Sequence, residues 1–220
     1  MASPGVRIPP LAQERGADAP QIRRRPRQSR AQASAQALQD AFVRVLLDRG
    51  YDKTTIREVA AVAGVGVGTF YEYFGNMRAL AALCIHAHVK ALAEAGRAAV
   101  EAARGQPLAQ VVDALLDVLV GRVAREAPVW SALFLLERQV SSVQAFRKHY
   151  EAYVQLWQLA LEAAADRPSD AAGAARLLHA MAYGWVSQSL LAQGPQIDAH
   201  DLRARLGEAA QAYGAGLARG

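Results

Sequence analysis

Leu38, Ala41, Phe42, Val45 and Leu46 recur at steps of three and four residues, which places them on one face of an α-helix. The rhythm predicts a helix over 29–48, closed by Gly50, a residue that tolerates the left-handed backbone in which helices commonly end. Similar periodicity predicts helices near 55–62, 66–73, 76–103, 107–124, 128–139, 141–165, 169–193 and 199–217. No segment alternates apolar and polar residues as a strand does, so the expected fold class is all-α. The prolines agree with these divisions. Pro107, Pro128 and Pro168 each precede an apolar-periodic stretch, and Pro195 follows one, as first-turn prolines and helix stops do. Abundant alanine, the best intrinsic helix former, points the same way, and there is no internal repeat. The break at Gly105-Gln106-Pro107 is short, so the helix over 76–103 should join the parts on either side of it rigidly.

With 220 residues and 52% hydrophobic content, the chain can bury a core as one large or two small domains. No apolar run approaches the roughly 18 residues of a membrane span, and Met1 to Pro10 lacks the apolar stretch of a signal peptide. The expectation is a cytoplasmic protein with no membrane partner. A single cysteine, Cys84, rules out an internal disulfide and a cysteine-based zinc set. Charge changes the picture only when it is divided along the chain. The whole net charge of +5 lies in residues 1–30, where seven arginines stand against Glu14 and Asp18, densest at Arg23-Arg24-Arg25-Pro26-Arg27. Five of the nine prolines also fall within the first 26 residues, so residues 1–28 are expected to form a disordered basic arm. Such a run suits a polyanion, and it equally suits a solvated leader that keeps the chain soluble. Its position directly ahead of the next motif favours the polyanion.

Thr55-Ile56-Arg57-Glu58 has the form of a capping box, in which the threonine hydroxyl accepts from the Glu58 amide while Glu58 reaches back to the Thr55 amide. Val59, Ala60 and Val62 are expected to form the buried face of that helix. Gly64 supplies a turn into a second short helix beginning near Gly66. Two short helices meeting at a tight turn build a helix-turn-helix, whose second helix enters the major groove of DNA.

The run from Gly50-Tyr51 through Thr54-Thr55-Ile56-Arg57-Glu58-Val59-Ala60 to Gly64-Val65-Gly66-Val67-Gly68-Thr69-Phe70-Tyr71-Glu72-Tyr73-Phe74 resembles the TetR family of transcriptional regulators, and the likeness extends over residues 30 to about 90. The resemblance implies an N-terminal three-helix DNA-binding domain over 29–75, extending to about 90. A larger helical domain for ligand binding and dimerisation would follow over 76–220. It implies phosphate contacts at Thr55 and Tyr71, a base-edge contact from Arg57, and groove-facing positions at Val67, Thr69 and Tyr73. Phe70, Phe74, Val59 and Val65 are expected to be core. Two positions depart from the family pattern. Gly66 stands where a capping serine is frequent, which weakens a cap by only a few tenths of a kcal/mol. Met77 stands where a lysine is common, which removes a phosphate contact that Arg78 beside it and the arginine-rich arm are expected to replace. The recognition helix also lacks Arg, Lys, Asn and Gln, the usual bidentate readers of guanine and adenine, so readout should lean on Arg57, on methyl contacts to thymine and on DNA shape.

Other signals resemble chemistry less well. Gly64-x-Gly66-x-Gly68 is preceded by a helix, whereas a dinucleotide-binding loop needs a strand there. Cys84, His86 and His88 alternate, and residues two apart do not share a helix face, so a metal site is not expected. No nucleophile elbow, paired acidic site or Ser/His/Asp spacing stands out. The expectation is a protein without catalytic residues or cofactor; the alternative is a helical enzyme or ligand-binding protein that does not act on DNA.

The resemblance implies a homodimer whose last two helices pair with their copies as a four-helix bundle. Ala171, Ala174, Ala175, Leu178, Ala182 and Trp185 form one side of the helix over 169–193, and Leu202, Leu206, Ala209, Ala210 and Tyr213 one side of the last helix. These faces could pair between subunits or pack within one. Trp130, Phe134, Phe146, Tyr150, Tyr153, Trp157, His179 and Tyr183 are candidates to line an effector pocket. Taken singly, each is more often core than ligand contact. As a set uninterrupted by a charge cluster, they favour a hydrophobic or aromatic effector, uncharged or weakly polar.

Overall fold

The computed structural model describes residues 29–217; the basic arm expected over 1–28 lies outside the described residues. Nine α-helices follow one another: α1 (Ser29–Arg49), α2 (Ile56–Val62), α3 (Val67–Tyr73), α4 (Met77–Ala102), α5 (Leu108–Arg125), α6 (Ala127–Val140), α7 (Val143–Ala163), α8 (Ala171–Gln193) and α9 (Ala199–Leu217). Among the described residues there is no strand. Every helix begins and ends within two residues of its expected position. One short 3₁₀ turn, Tyr51–Lys53, was not legible in the periodicity.

Local chemistry sets the helix ends. Asn76 caps α4 by accepting from the Ala79 amide at 2.8 Å, Ser142 caps α7 through Ala145 at 3.1 Å, and Asp170 caps α8 through Gly173 at 2.8 Å. Each satisfies an amide that has no partner within its own helix. Gly50 and Gly194 stop α1 and α8 with φ near +75°, a backbone that costs a residue with a Cβ more than it costs glycine.

Two cores form. The first gathers Leu38, Phe42, Val45 and Leu46 of α1 with Val59 of α2, Phe70 of α3 and Phe74 just beyond it, and Leu80, Cys84 and Ile85 of α4. The second gathers the carboxyl half of α4 with α5, α7, α8 and α9. Two helices serve both. In α4, Leu80 and Ile85 belong to the first core, Leu92 and Val100 to the second; in α6, Leu133, Leu136 and Val140 belong to the first, Trp130 and Phe134 to the second. Gly96 lies where α4 meets α5 and α7: a Cβ there would stand 2.8 Å from a Leu156 methyl and 3.0 Å from one of Leu115. At the far edge, Arg203 ties α9 to α5 through Asp117 at 2.6 Å and Asp113 at 2.9 Å.

Candidate functional site

Thr55 starts α2 from extended backbone, and its hydroxyl accepts from the Glu58 amide at 3.2 Å. The reciprocal half of the capping box is replaced. Glu58 turns its carboxylate to Arg49, at the end of α1, with an Nε to Oε1 distance of 2.9 Å. Gly64, at φ +68°, reverses the chain while the Gly64 and Val65 amides donate to the Ala61 and Ala60 carbonyls. Gly66 then opens α3 with no side-chain cap.

Of the residues expected to meet DNA, Thr55, Arg57, Val67 and Tyr71 are exposed and Thr69 is half-buried. Tyr71 lies edge-on to Phe70 at 5.5 Å between ring centroids, which steadies its ring. Tyr73 is a correction: it is only 6% exposed and belongs to the first core. Phe70 and Phe74 define the inward face of α3, and a residue three beyond Phe70 shares that face. Val62 is the opposite correction, at 46% exposed. The inward face of α2 runs through 56, 59, 60 and 63, and position 62 falls beside it. Arg78 has a structural engagement that its sequence position did not reveal, since its Nε donates to the Val140 carbonyl at 2.9 Å and pins the start of α4 to the end of α6. Glu72 is exposed on α3 and adds an acid next to the residues expected to meet DNA.

Behind this pair of helices, α4 to α8 enclose a cavity of about 330 Å³. The structure brings all eight expected pocket residues, Trp130, Phe134, Phe146, Tyr150, Tyr153, Trp157, His179 and Tyr183, to its wall, joined by Val89 and Leu92 of α4 and a leucine-valine face of α5. Their rings touch in series: Trp130 and Phe134 at 5.8 Å, Phe134 and Tyr183 at 5.6 Å, and His179 stacked on Tyr153 at 5.7 Å. Phe146 and Tyr150 are partly exposed and form the outer edge.

Sequence reasoning missed two polar groups in this wall, Glu137 and His149. Glu137 is buried; its Oε2 accepts from the Tyr183 hydroxyl at 3.4 Å and its Oε1 lies 3.2 Å from His149 Nδ1. His149 Nε2 in turn lies 3.4 Å from Nδ1 of His86, with the two rings stacked. Spacing could have found both residues, since Glu137 follows Phe134 by three and His149 follows Phe146 by three. Burial lowers the pKa of His86, and the neighbouring His149, Lys148 and Lys90 lower it further. Burial also pushes the His179 imidazole down to about 4, so it is neutral at neutral pH. It raises the Tyr153 phenol, as does Glu137; that hydroxyl donates to the Val89 carbonyl at 3.1 Å. Two donors in the wall stay unpaired, the indole N–H groups of Trp130 and Trp157, which are 5% and 1% exposed.

Cys84, His86 and His88 diverge as their spacing requires. Cys84 is buried against α1, its thiol pushed up to about 12 by desolvation and then by Asp40. His86 lies on His149, and His88 bonds the Cys84 carbonyl at 2.8 Å beside Trp130. The small-residue face expected on α8 turns inward: Ala174, Ala175, Leu178 and Ala182 pack in the second core of the same chain, and so do Leu202, Leu206 and Ala210 of α9. The large apolar side chains that α8 shows outward are Leu177 and Trp185, the latter 50% exposed, with half-buried Met181 between them.

A short capped helix, a glycine turn and a second short helix with an exposed polar and aromatic face make this a helix-turn-helix protein. Residues 38–84 match the family described as bacterial regulatory proteins, tetR family, so the helix-turn-helix part of the chain is of the TetR type. No curated protein sequence matches it. Solved structures share the fold. A TetR-like transcriptional regulator from Rhodococcus sp. RHA1 is 23% identical with a TM-score of 0.64 over 88% of this chain and 100% of that one. A TetR transcription regulator from Haloarcula marismortui is 18% identical with a TM-score of 0.68 over 82% and 98%. FadR from Bacillus subtilis in complex with stearoyl-CoA is 18% identical with a TM-score of 0.60 over 79% and 95%. Among the described residues no helix is long and apolar enough to cross a membrane.

Proposed function

We propose that the chain is a homodimeric repressor that binds a palindromic operator through α2 and α3 and releases it when a small hydrophobic or aromatic effector fills the α4–α8 cavity. In this reading residues 1–28 are a basic arm against the DNA backbone, 29–75 and the start of α4 form the DNA-binding domain, and 76–220 bind effector and dimerise. Thr55 and Tyr71 hold phosphates and fix register; Arg57 reads a base edge, and Val67 and Thr69 offer methyl groups to thymine. The exposed Leu177 and Trp185 of α8 and half-buried Met181 between them, with Ala209 of α9, pair with their copies.

One observation carries the reading: the same two helices wall the cavity and pack the DNA-binding core. Val89 and Leu92 of α4 and Trp130, Phe134 and Glu137 of α6 line the cavity, while Leu80 and Ile85 of α4 and Leu133, Leu136 and Val140 of α6 sit in the first core. A ligand that shifts either helix therefore shifts the recognition helix. If it binds better to a dimer whose recognition helices are wrongly spaced, operator binding must weaken effector binding by the same factor.

Footprinting the purified chain on DNA from its own promoter region tests the function. Two protected, inverted half-sites are expected, with affinity falling steeply as salt rises. Arg57→Ala should cost about 1–3 kcal/mol and relax one base position, whereas Tyr71→Phe should weaken all sequences alike. Binding no tighter than to random competitor DNA would overturn the reading.

A further inference from the structure

A second hollow, of about 420 Å³, adjoins the cavity and shares Leu92 and Trp130 with it. Its chemistry differs. Arg122 and Arg125, from the last turn of α5, line it together with His88 and Glu126, so arginines outnumber acids two to one. Both guanidinium groups are exposed, and among the described residues neither has a carboxylate partner. The two acids of α5, Asp113 and Asp117, are held by Arg203.

Trp130 stands in the wall common to the apolar cavity and the cationic hollow, almost wholly buried, with its Nε1–H unpaired. A buried donor left unsatisfied costs about 1–3 kcal/mol, which an oxygen of a bound molecule would recover. Elsewhere in the cavity wall the polar end is acidic: both oxygens of Glu137 are already engaged by His149 and Tyr183. Negative charge is thus disfavoured near Glu137 and favoured beside the arginines.

We infer that the effector is an amphiphile with an anionic head, its hydrocarbon or aromatic body in the α4–α8 cavity and its carboxylate or phosphate at Arg122 and Arg125. An oxygen of the head, or of the link behind it, accepts from Trp130 Nε1–H. The inference rests on the effector reading above and narrows it. The aromatic stripe of α6, α7 and α8 favoured an uncharged ligand because the two arginines lie on α5, outside that stripe.

Four probes of one chain length decide it: dodecanoate, dodecyl phosphate, dodecanol and dodecyltrimethylammonium. Each is titrated below its micelle concentration against the full-length protein, by calorimetry and by tryptophan fluorescence. At least one of the two anions should bind about tenfold or more tightly than dodecanol, as expected of charge-assisted hydrogen bonds, and which anion does so identifies the head. Arg122→Gln combined with Arg125→Gln should erase that advantage while leaving dodecanol binding unchanged, and Arg→Lys at both positions should retain part of it. Trp130→Phe, which keeps the ring and removes the donor, should weaken the anions several-fold more than the alcohol. Dodecanol binding as tightly as both anions, or an anion advantage that survives the double glutamine variant, overturns the anionic head and leaves the effector cavity standing. The trimethylammonium probe binding tightest overturns it in favour of Glu137. Absence of saturable binding by all four overturns the head and the effector reading together.

Discussion

His179 is 6% exposed among Tyr150, Tyr153 and Tyr183, and desolvation pushes its imidazole down to about 4. The unfolded chain, with an ordinary histidine near 6.5, therefore binds more protons than the folded one between those two values. Stability from keeping this ring neutral is complete above about pH 6.5 and is lost as pH falls toward about 4, by at most about 3 kcal/mol. His179→Phe keeps an aromatic ring in the wall and removes the titration. Thermal melts at pH 7 and pH 4.5 should show a smaller acid-induced drop for the variant than for the wild type; equal drops would place the acid sensitivity in other groups. Tyr71 and Tyr73 teach a different lesson at this scale. Two residues apart on one short helix, one is exposed and the other buried, because only position 73 shares a face with Phe70.

Among the elements, α4 and α6 matter most, because each contributes to both cores. Their mutual anchor is the bond from Arg78 Nε to the Val140 carbonyl, 62 residues away in the chain. Family resemblance assigned Arg78 to a DNA phosphate, and the two roles separate experimentally. Arg78→Lys keeps a positive charge for a phosphate but cannot reproduce the guanidinium bond. If the bond to α6 dominates, the lysine variant should lose about 0.5–1.5 kcal/mol in chemical unfolding and show altered release by effector, with the slope of log affinity against log salt unchanged. Wild-type stability of the lysine variant, together with a slope shallower by about one ion in Arg78→Gln, would instead make Arg78 a phosphate contact.

At the scale of the whole molecule, the proposed homodimer requires a face on which two copies meet. A palindromic operator requires a two-fold axis that sets the distance between recognition helices. On α8 the apolar surface left over after folding is the stripe of Leu177, half-buried Met181 and Trp185, at helical spacing, with Arg176 beside it. Trp185→Glu would place a carboxylate at its centre, where a self-complementary interface counts the charge twice. Sedimentation equilibrium should show a monomer, and operator binding should fall with it, while circular dichroism stays that of the folded chain. A variant that stays dimeric would move the interface to another face.

Much of this protein is decided locally and could be read without coordinates. Helix ends depend on residues within one turn: Asn76, Ser142 and Asp170 as caps, Gly50, Gly64 and Gly194 as reversals. The helix-turn-helix is equally local, since Thr55, Gly64 and the Phe70 and Phe74 pair lie within 20 residues. The eight aromatic and histidine wall residues were legible for the same reason, each repeating at helical spacing on α6, α7 or α8. What spacing cannot state is which neighbour a face meets. The helix α8 is apolar nearly all round, so periodicity alone could not choose its inward side, and the alanines expected at a subunit interface are in the core. Glu58 pairing with Arg49, Arg78 with Val140, and Arg203 with Asp113 and Asp117 join different helices, the last pairs across more than 80 residues. Such choices rest on long-range packing of side chains, where a polar group takes whichever partner the neighbouring helix brings within reach, and only the tertiary structure decides that.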